Sequence, residues 1–231
     1  MNVVNCTVES IEALTSIVYK VILKPENPIE FKAGQYCQVV MGEKDKRPFS
    51  IANAPQDSSI IELHIGAEPS NAYAYEVLEK CRNLGELNVE VAHGDAYLRE
   101  STLPAIVVAG GTGYSYAKSI VLDCLATQPD RELVLYWGAK NPDDLYESKE
   151  LSALAVTHQN FSFKPVVENP DESWQEHVGW VHKAVLNDVH NFADYQVYTA
   201  GRFEMSATIR DEFSAAGLLT NNLFGDAFAF I

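Results

Sequence analysis

The chain has 231 residues, a length that suits one large domain or two small ones, and 47% of them are hydrophobic, which excludes general disorder. A formal net charge of −15 argues against nucleic-acid binding, because an acidic surface repels phosphates. The first residues contain no basic segment followed by an apolar stretch, and no apolar run is long enough for a membrane span. We therefore expect a soluble, cytoplasmic protein.

The four cysteines are scattered, at Cys6, Cys37, Cys81 and Cys124, with no close pair among them. This spacing argues against a disulfide framework and against a zinc or iron–sulfur site built from local cysteines. We expect four buried free thiols and no metal centre.

The first hundred residues show the pattern of short β-strands separated by turns. The predicted strands cover residues 2–8, 17–23, 37–41, 48–52, 60–65 and 87–91, with one helix at 71–84. Lys24 and Pro25 are expected to end the second strand. Several short strands at regular spacing predict a small antiparallel β-barrel over residues 1–100.

Beyond residue 100 the pattern changes to alternating strands and helices. Strands are predicted at 105–109, 132–137, 161–167 and 196–200, and helices at 114–126, 145–155, 181–189 and 204–216. A polar loop at 168–175 and an aromatic-rich end at 224–231 complete this half. The alternation predicts an α/β domain over residues 101–231, with a parallel sheet covered by helices on both faces.

The strongest local signal is a glycine turn between a strand and a helix. The apolar run 105–109 is followed by Gly110, Gly111 and Gly113, and helical periodicity begins at Tyr114. This order presents bare N–H groups at a helix N-terminus, where unpaired donors and the helix dipole attract phosphate. An ordinary tight turn is the alternative, since the spacing is not the full G-x-G-x-x-G pattern.

A second candidate site lies in the barrel, at Arg47-Pro48-Phe49-Ser50. Proline restricts Arg47 to an extended backbone, the guanidinium offers a planar charged fork, and Ser50 offers a hydroxyl. These groups suit a polar ligand bound edge-on. The alternative is a surface ion pair of Arg47 with Asp45 or Glu43, with Ser50 an ordinary strand residue.

Motifs in both halves resemble one known family. They are Ala33-Gly-Gln-Tyr36, Asp45 to Ile51, Glu62-Leu-His-Ile-Gly66, His93 to Arg99, Gly110-Gly-Thr-Gly113, Gly201-Arg-Phe-Glu-Met205 and Phe224 to Ile231. Together and in this order they resemble the NAD(P)H:flavin oxidoreductases of the ferredoxin–NADP reductase superfamily, the group of enteric and luminous-bacterial flavin reductases.

The resemblance implies a role for each matching residue. The flavin would be lined by Arg47, Pro48, Phe49, Ser50, His64, Ile65 and Gly66, the last three through their backbone. The nucleotide would be held by Gly110, Gly111, Thr112, Gly113, Tyr114, Ser115, Gly201, Arg202, Phe203 and Met205. Ser50 would be the catalytic residue, hydrogen-bonded near flavin N5. The His64 ring is expected to have a structural place in its strand and no direct role in catalysis.

Three departures from the superfamily pattern affect the expected function. Ala200 stands where many members have cysteine, and Phe49 stands where tyrosine is usual. The chain also lacks a long loop for the adenylate half of FAD. Fewer anchoring contacts predict weak binding, so that riboflavin, FMN or FAD acts as an exchangeable substrate.

The predicted activity is hydride transfer from NADH or NADPH to a free flavin, supplying reduced flavin to a luciferase, a monooxygenase or iron reduction. One alternative is an electron-transfer reductase with a prosthetic flavin and a separate iron–sulfur partner. Another is a non-catalytic flavin-binding module. Lys140, after the second strand of the α/β domain, offers one charge for a 2′-phosphate but also suits a solvated turn.

Overall fold

A computed structural model describes residues 3–231; Asn2, which was included in the first predicted strand, lies outside the described residues. The strands are β1 (Val3–Ala13), β2 (Val18–Pro25), β3 (Tyr36–Val40), β4 (Lys46–Ser50), β5 (Ile61–Gly66), β6 (Glu86–His93), β7 (Ala105–Gly110), β8 (Leu133–Ala139), β9 (Phe161–Val167), β10 (His177–Val178), β11 (Gln196–Ala200) and β12 (Leu223–Phe224). The helices are α1 (Ala72–Leu84), α2 (Tyr114–Thr127), α3 (Ser148–Thr157), α4 (Val181–Asp188) and α5 (Phe203–Ala215).

The first six strands form one antiparallel sheet in the order β4-β3-β6-β1-β2-β5. Its two edges come together just after β4, where the N–H of Ala52 donates to the carbonyl of Glu62 at 2.8 Å. Inward residues such as Val21, Leu63 and Val89 are fully buried, and α1 adds Val77 and other apolar residues to the same core. The predicted N-terminal β-domain is confirmed.

The other six strands form a parallel sheet in the order β10-β9-β8-β7-β11-β12. Alternate residues of the central strand β7 serve opposite faces: Val107 packs with α2 and α3, whereas Ile106 and Val108 pack with α4 and α5. Burial on both faces explains why this strand is apolar throughout. The predicted α/β domain is confirmed, and residues 94–104 connect it to the barrel sheet.

Several predicted boundaries were wrong, each for a local reason. Strand β2 continues through Pro25, which pairs with Cys6 at the strand end, where proline is tolerated. Helix α3 begins at Ser148 instead of 145, because Asn141 and Asp144 form a capping box around a separate short turn. The two-residue strands β10 and β12 were missed, since two residues carry no periodicity.

All four cysteines are free and buried, as predicted. Burial raises the pKa of the thiols of Cys6 and Cys81 to about 11 and of Cys37 to about 12, which keeps them protonated and unreactive. Within residues 3–231 no helix combines the length and the apolar character that crossing a membrane requires.

Candidate active site between the two domains

The glycine turn leaves bare backbone at the start of α2. Strand β7 ends at Gly110, one short 3-10 turn covers Gly111–Gly113, and no side chain caps the helix that follows. Gly111 has a φ of +53°, and a Cβ added there would have nothing within 4 Å. This open space over exposed backbone fits a diphosphate held by N–H donors.

Tyr114 and Ser115, the next two residues of the predicted nucleotide site, have side chains that contact other parts of the protein. The Tyr114 ring is buried and stacks on Trp137 with 3.9 Å between ring centroids. The Ser115 hydroxyl donates to the carbonyl of Thr112 at 3.0 Å. The backbone N–H of Tyr114 also donates within the turn, to the carbonyls of Gly111 and Thr112.

A second glycine turn, after β11, packs against the first. Strands β7 and β11 are neighbours, and a Cβ added at Gly201 would lie 3.4 Å from the Cα of Gly110. The Met205 sulfur covers both glycines, since it would lie 2.8 Å from a Cβ at Gly110 and 3.2 Å from one at Gly201. Close packing here requires glycine, so the two turns form one continuous surface.

Arg202 and Phe203 are exposed beside this surface, and the Phe203 ring lies 6.1 Å from the ring of Phe230 near the chain's end. Both phenylalanines are more than half exposed. The C-terminal segment therefore lies next to the predicted nicotinamide region.

The barrel's predicted site residues differ in what they contact. Pro48 is exposed and Phe49 packs against the barrel core. Ser50 ends β4 opposite Tyr36, whose ring stacks on His93 with 5.6 Å between ring centroids. The predicted catalytic residue thus stands opposite an aromatic residue in the sheet, a pairing that the sequence did not reveal.

Arg47 has its guanidinium turned into the protein. It binds both carboxylate oxygens of Asp45, at 2.9 and 2.7 Å, and also Glu76 at 2.7 Å and the carbonyl of Tyr73. The pairing with Asp45 agrees with the alternative drawn from the sequence: Arg47 is itself only 8% exposed, but the Asp45 and Glu76 side chains are 47% and 55% exposed, so the ion pairs lie at the protein surface. Arg47 thus ties β4 to α1 and uses four of its five N–H donors for these contacts.

Three predicted residues on β5 bring the barrel to the glycine turn. His64 and Ile65 are buried, and the His64 ring lies between Glu62 and Tyr146. A Cβ added at Gly66 would lie 3.2 Å from Thr112 Cγ2. Gly66, predicted to line the flavin site, thus lies against Thr112, predicted to bind the nucleotide.

Asp226 reaches the barrel end of the site from the far end of the chain. A Cβ added at Gly94 would lie 2.9 Å from the Asp226 carboxylate and 3.0 Å from the Tyr36 ring. Burial, with a smaller contribution from Asp95, raises the pKa of Asp226 to about 6. The sequence motif at 224–231 contains this residue, but only folding brings it to the barrel.

Comparison with known proteins adds to this geometry. Residues 107–211 match the family model of an oxidoreductase NAD-binding domain. Proteins called NAD(P)H-flavin reductase from Aliivibrio fischeri and Vibrio harveyi are 45% and 44% identical, over 99% of this chain and 99% of each relative. A solved cytochrome P450 reductase from Amycolatopsis superposes with a TM-score of 0.89 at 24% identity, over 97% of this chain and 69% of that one. That structure supports the fold alone.

Proposed function

The chain belongs to the NAD(P)H-flavin reductase family, and on this premise we propose that it transfers a hydride from NADH or NADPH to a flavin bound where the two domains meet. The contact between Gly66 and Thr112 supports this proposal most strongly, because it joins a residue predicted for the flavin to one predicted for the nucleotide. Pockets between domains are also common ligand sites.

The first part of the proposal concerns the nucleotide. The diphosphate binds at the bare start of α2, and the open space over Gly111 admits it. The surface formed by Gly110, Gly201 and Met205 then receives the nicotinamide, whose ring meets the Met205 side chain that covers the two glycines. Arg202 and Phe203 line its exposed side.

The second part concerns the flavin, which binds along the end of β4 with Ser50 near its N5. Pro48 and Phe49 shape the strand, and the backbone of His64, Ile65 and Gly66 meets the polar edge of the ring. Arg47 contributes by fixing β4, since its own fork is occupied by Asp45 and Glu76.

The hydride leaves nicotinamide C4 with both bonding electrons and forms a bond at flavin N5, so the nucleotide is oxidised and the flavin reduced. The protein needs no strong acid or base for this step. It contributes proximity, ring alignment and a hydroxyl at the reacting edge, while the two substrates supply the chemistry.

We also propose that flavin is an exchangeable substrate and that the reduced product leaves the protein. Phe49 supports this, since it provides no hydroxyl where the wider superfamily has one. A consumer such as a luciferase or a monooxygenase, or direct iron reduction, would take the product. A cytoplasmic location fits the four free cysteines, because thiols persist in a reducing compartment.

The deciding experiment is a kinetic matrix of NADH and NADPH against riboflavin, FMN and FAD. We expect catalytic turnover with free flavin in excess over protein. Turnover that requires an iron–sulfur partner would favour the prosthetic-flavin alternative. Binding of flavin with no oxidation of either nucleotide would leave a non-catalytic flavin module.

A further inference from the structure

A buried group of charged and polar side chains spans the two domains, next to the proposed site. We call it the interdomain ion cluster; its members are Glu62 and His64 on β5, Tyr114 and Lys118 on α2, and Tyr146 and Glu147 before α3. Glu62, Lys118 and Glu147, its charged members, have no role in the chemistry predicted from the sequence. Buried charges are costly unless paired, so this arrangement needs an explanation.

Lys118 lies at the centre of the cluster. Its Nζ is 2.7 Å from Glu62 Oε1, in the barrel domain, and 2.8 Å from Glu147 Oε2, in the α/β domain. Both glutamates are less than 9% exposed. One ammonium group thus forms an ion pair with a carboxylate from each domain.

The barrel side of the cluster is held by His64. Its Nε2 lies 2.7 Å from Glu62 Oε1 and its Nδ1 lies 3.0 Å from the Tyr146 hydroxyl. A neutral ring satisfies both contacts when Nε2–H donates to the carboxylate and the hydroxyl donates to Nδ1. Burial opposes ionisation of Glu62, but the bond from His64 and the charge of Lys118 outweigh it and lower its pKa to about 2.

The other side of the cluster leads to the glycine turn. The Tyr114 hydroxyl donates to Glu147 Oε2 at 2.9 Å, and the Tyr114 ring stacks on Trp137. Trp137 in turn donates from Nε1 to the carbonyl of Gly111 at 3.0 Å. A continuous set of contacts therefore runs from Lys118 to the backbone proposed to hold the nucleotide.

A metal ion is the competing occupant of this cluster. Donor atoms of Glu62, His64 and Glu147 lie within 4.8 Å of one another, close enough to share an ion. The Lys118 ammonium already lies 2.7–2.9 Å from both carboxylates, and a divalent cation there would meet a like charge. The cation of this cluster is the lysine.

We propose that Lys118 is a positioning residue: by binding Glu62 and Glu147 together, it fixes the flavin-binding barrel against the glycine turn at the separation hydride transfer needs. This inference rests on the proposed function. The chemical step depends steeply on donor–acceptor distance, and a small misplacement is enough to slow it strongly. Lys118 therefore acts on the chemical step more than on the binding of either substrate.

The test is steady-state kinetics of Lys118→Met with NADH and riboflavin, with thermal unfolding as the check on folding. We expect kcat to fall at least about tenfold while both KM values stay within about threefold. The isotope effect on kcat from NADH deuterated at C4 should rise, because hydride transfer becomes more fully rate-limiting. Lys118→Arg, which keeps the charge, should restore most of kcat.

Lys183→Met is the matched control, because Lys183 pairs with Glu212 at 2.6 Å between α4 and α5, within one domain. Its kcat should equal that of the wild type. If Lys118→Met does not fold, the double variant Lys118→Met/Glu147→Gln removes the cation together with one carboxylate and should show the same loss of kcat.

A folded Lys118→Met variant with kcat within twofold of the wild type would overturn the proposal. So would a rise in the KM for NADH alone, which would make Lys118 a nucleotide contact. A wild-type protein inactive with every nucleotide and flavin would instead refute the proposed function, so the two failures can be told apart.

Discussion

The Cβ that Gly66 lacks would lie 3.2 Å from Thr112 Cγ2, so the last residue of strand β5 rests on the glycine turn of the second domain. A residue of the β-sheet domain and a residue of the α/β domain thus share one point of contact. Chemistry that passes between two ligands, one in each domain, needs such a junction, because the ligands have to meet within bonding distance.

Gly111→Val should raise the KM for NADH at least about tenfold, or ~1.4 kcal/mol, and leave the KM for riboflavin nearly unchanged. A side chain would fill the open space over Gly111, where we place the diphosphate. Gly85→Val is the control, because Gly85 has a similar φ of +67° and open space but lies in the barrel domain. The Gly85→Val variant introduces the same backbone strain, from a side chain at a positive φ, but it does not block the proposed ligand site. Unchanged NADH kinetics in folded Gly111→Val would contradict the assignment.

Gly113→Ala should lower the free energy of unfolding by about 1–3 kcal/mol, the usual range for forcing atoms into a packed region. Its added Cβ would overlap with the carbonyl of Ala200 on the neighbouring strand. Gly42→Ala, in a turn with no atom within 4 Å of the added Cβ, should leave stability nearly unchanged. Urea unfolding of the two variants makes the comparison, and equal stabilities would show that the two glycine turns are not tightly packed.

Ser50→Ala should lower kcat about tenfold and raise the KM for riboflavin less. A hydrogen bond to a neutral group contributes about 0.5–1.5 kcal/mol, and more where charge develops as the hydride arrives. Ser10→Ala, at an exposed position of β1, is the control and should have no effect. If only KM changes, Ser50 is a binding contact; if neither constant changes, the flavin lies on another strand.

Dialysed protein should be nearly colourless, with micromolar affinity for flavin. Nanomolar affinity would require roughly 4 kcal/mol more binding free energy. Absorbance after gel filtration and titration of the protein with riboflavin measure both quantities. Yellow protein with one flavin per chain would favour a prosthetic flavin.

The free energy of unfolding of the wild type should fall as pH rises from about 4 to about 6, and Asp226→Asn should remove this fall. The pKa of Asp226 is raised from 3.8 to about 6, so in this window the folded protein keeps a proton that the unfolded chain has released. Stability therefore falls as pH rises through the window, by at most about 3 kcal/mol, and stays lower above it. Urea unfolding of both proteins at several pH values tests the sign, and a wild type that gains stability relative to Asp226→Asn over this range would refute it.

The sequence by itself determined the two-domain order and the position of the glycine turn. The alternation of apolar and polar residues along Ile61–Gly66 and the apolar run Ala105–Gly110 are local patterns, which can be recognised in a short stretch of sequence. Motifs such as Gly201 to Met205 are likewise continuous in the chain, so a family resemblance made them visible.

Only the tertiary structure decided which distant side chains meet. Arg47 turns to Asp45 and Glu76 because α1 packs beside β4, and Asp226 reaches Tyr36 because the chain's end crosses to the barrel. Lys118 was not singled out from the sequence, yet it lies between two glutamates 56 and 29 positions away. Such contacts depend on how elements distant in the chain pack together, and this packing cannot be predicted from the local periodicity of the sequence.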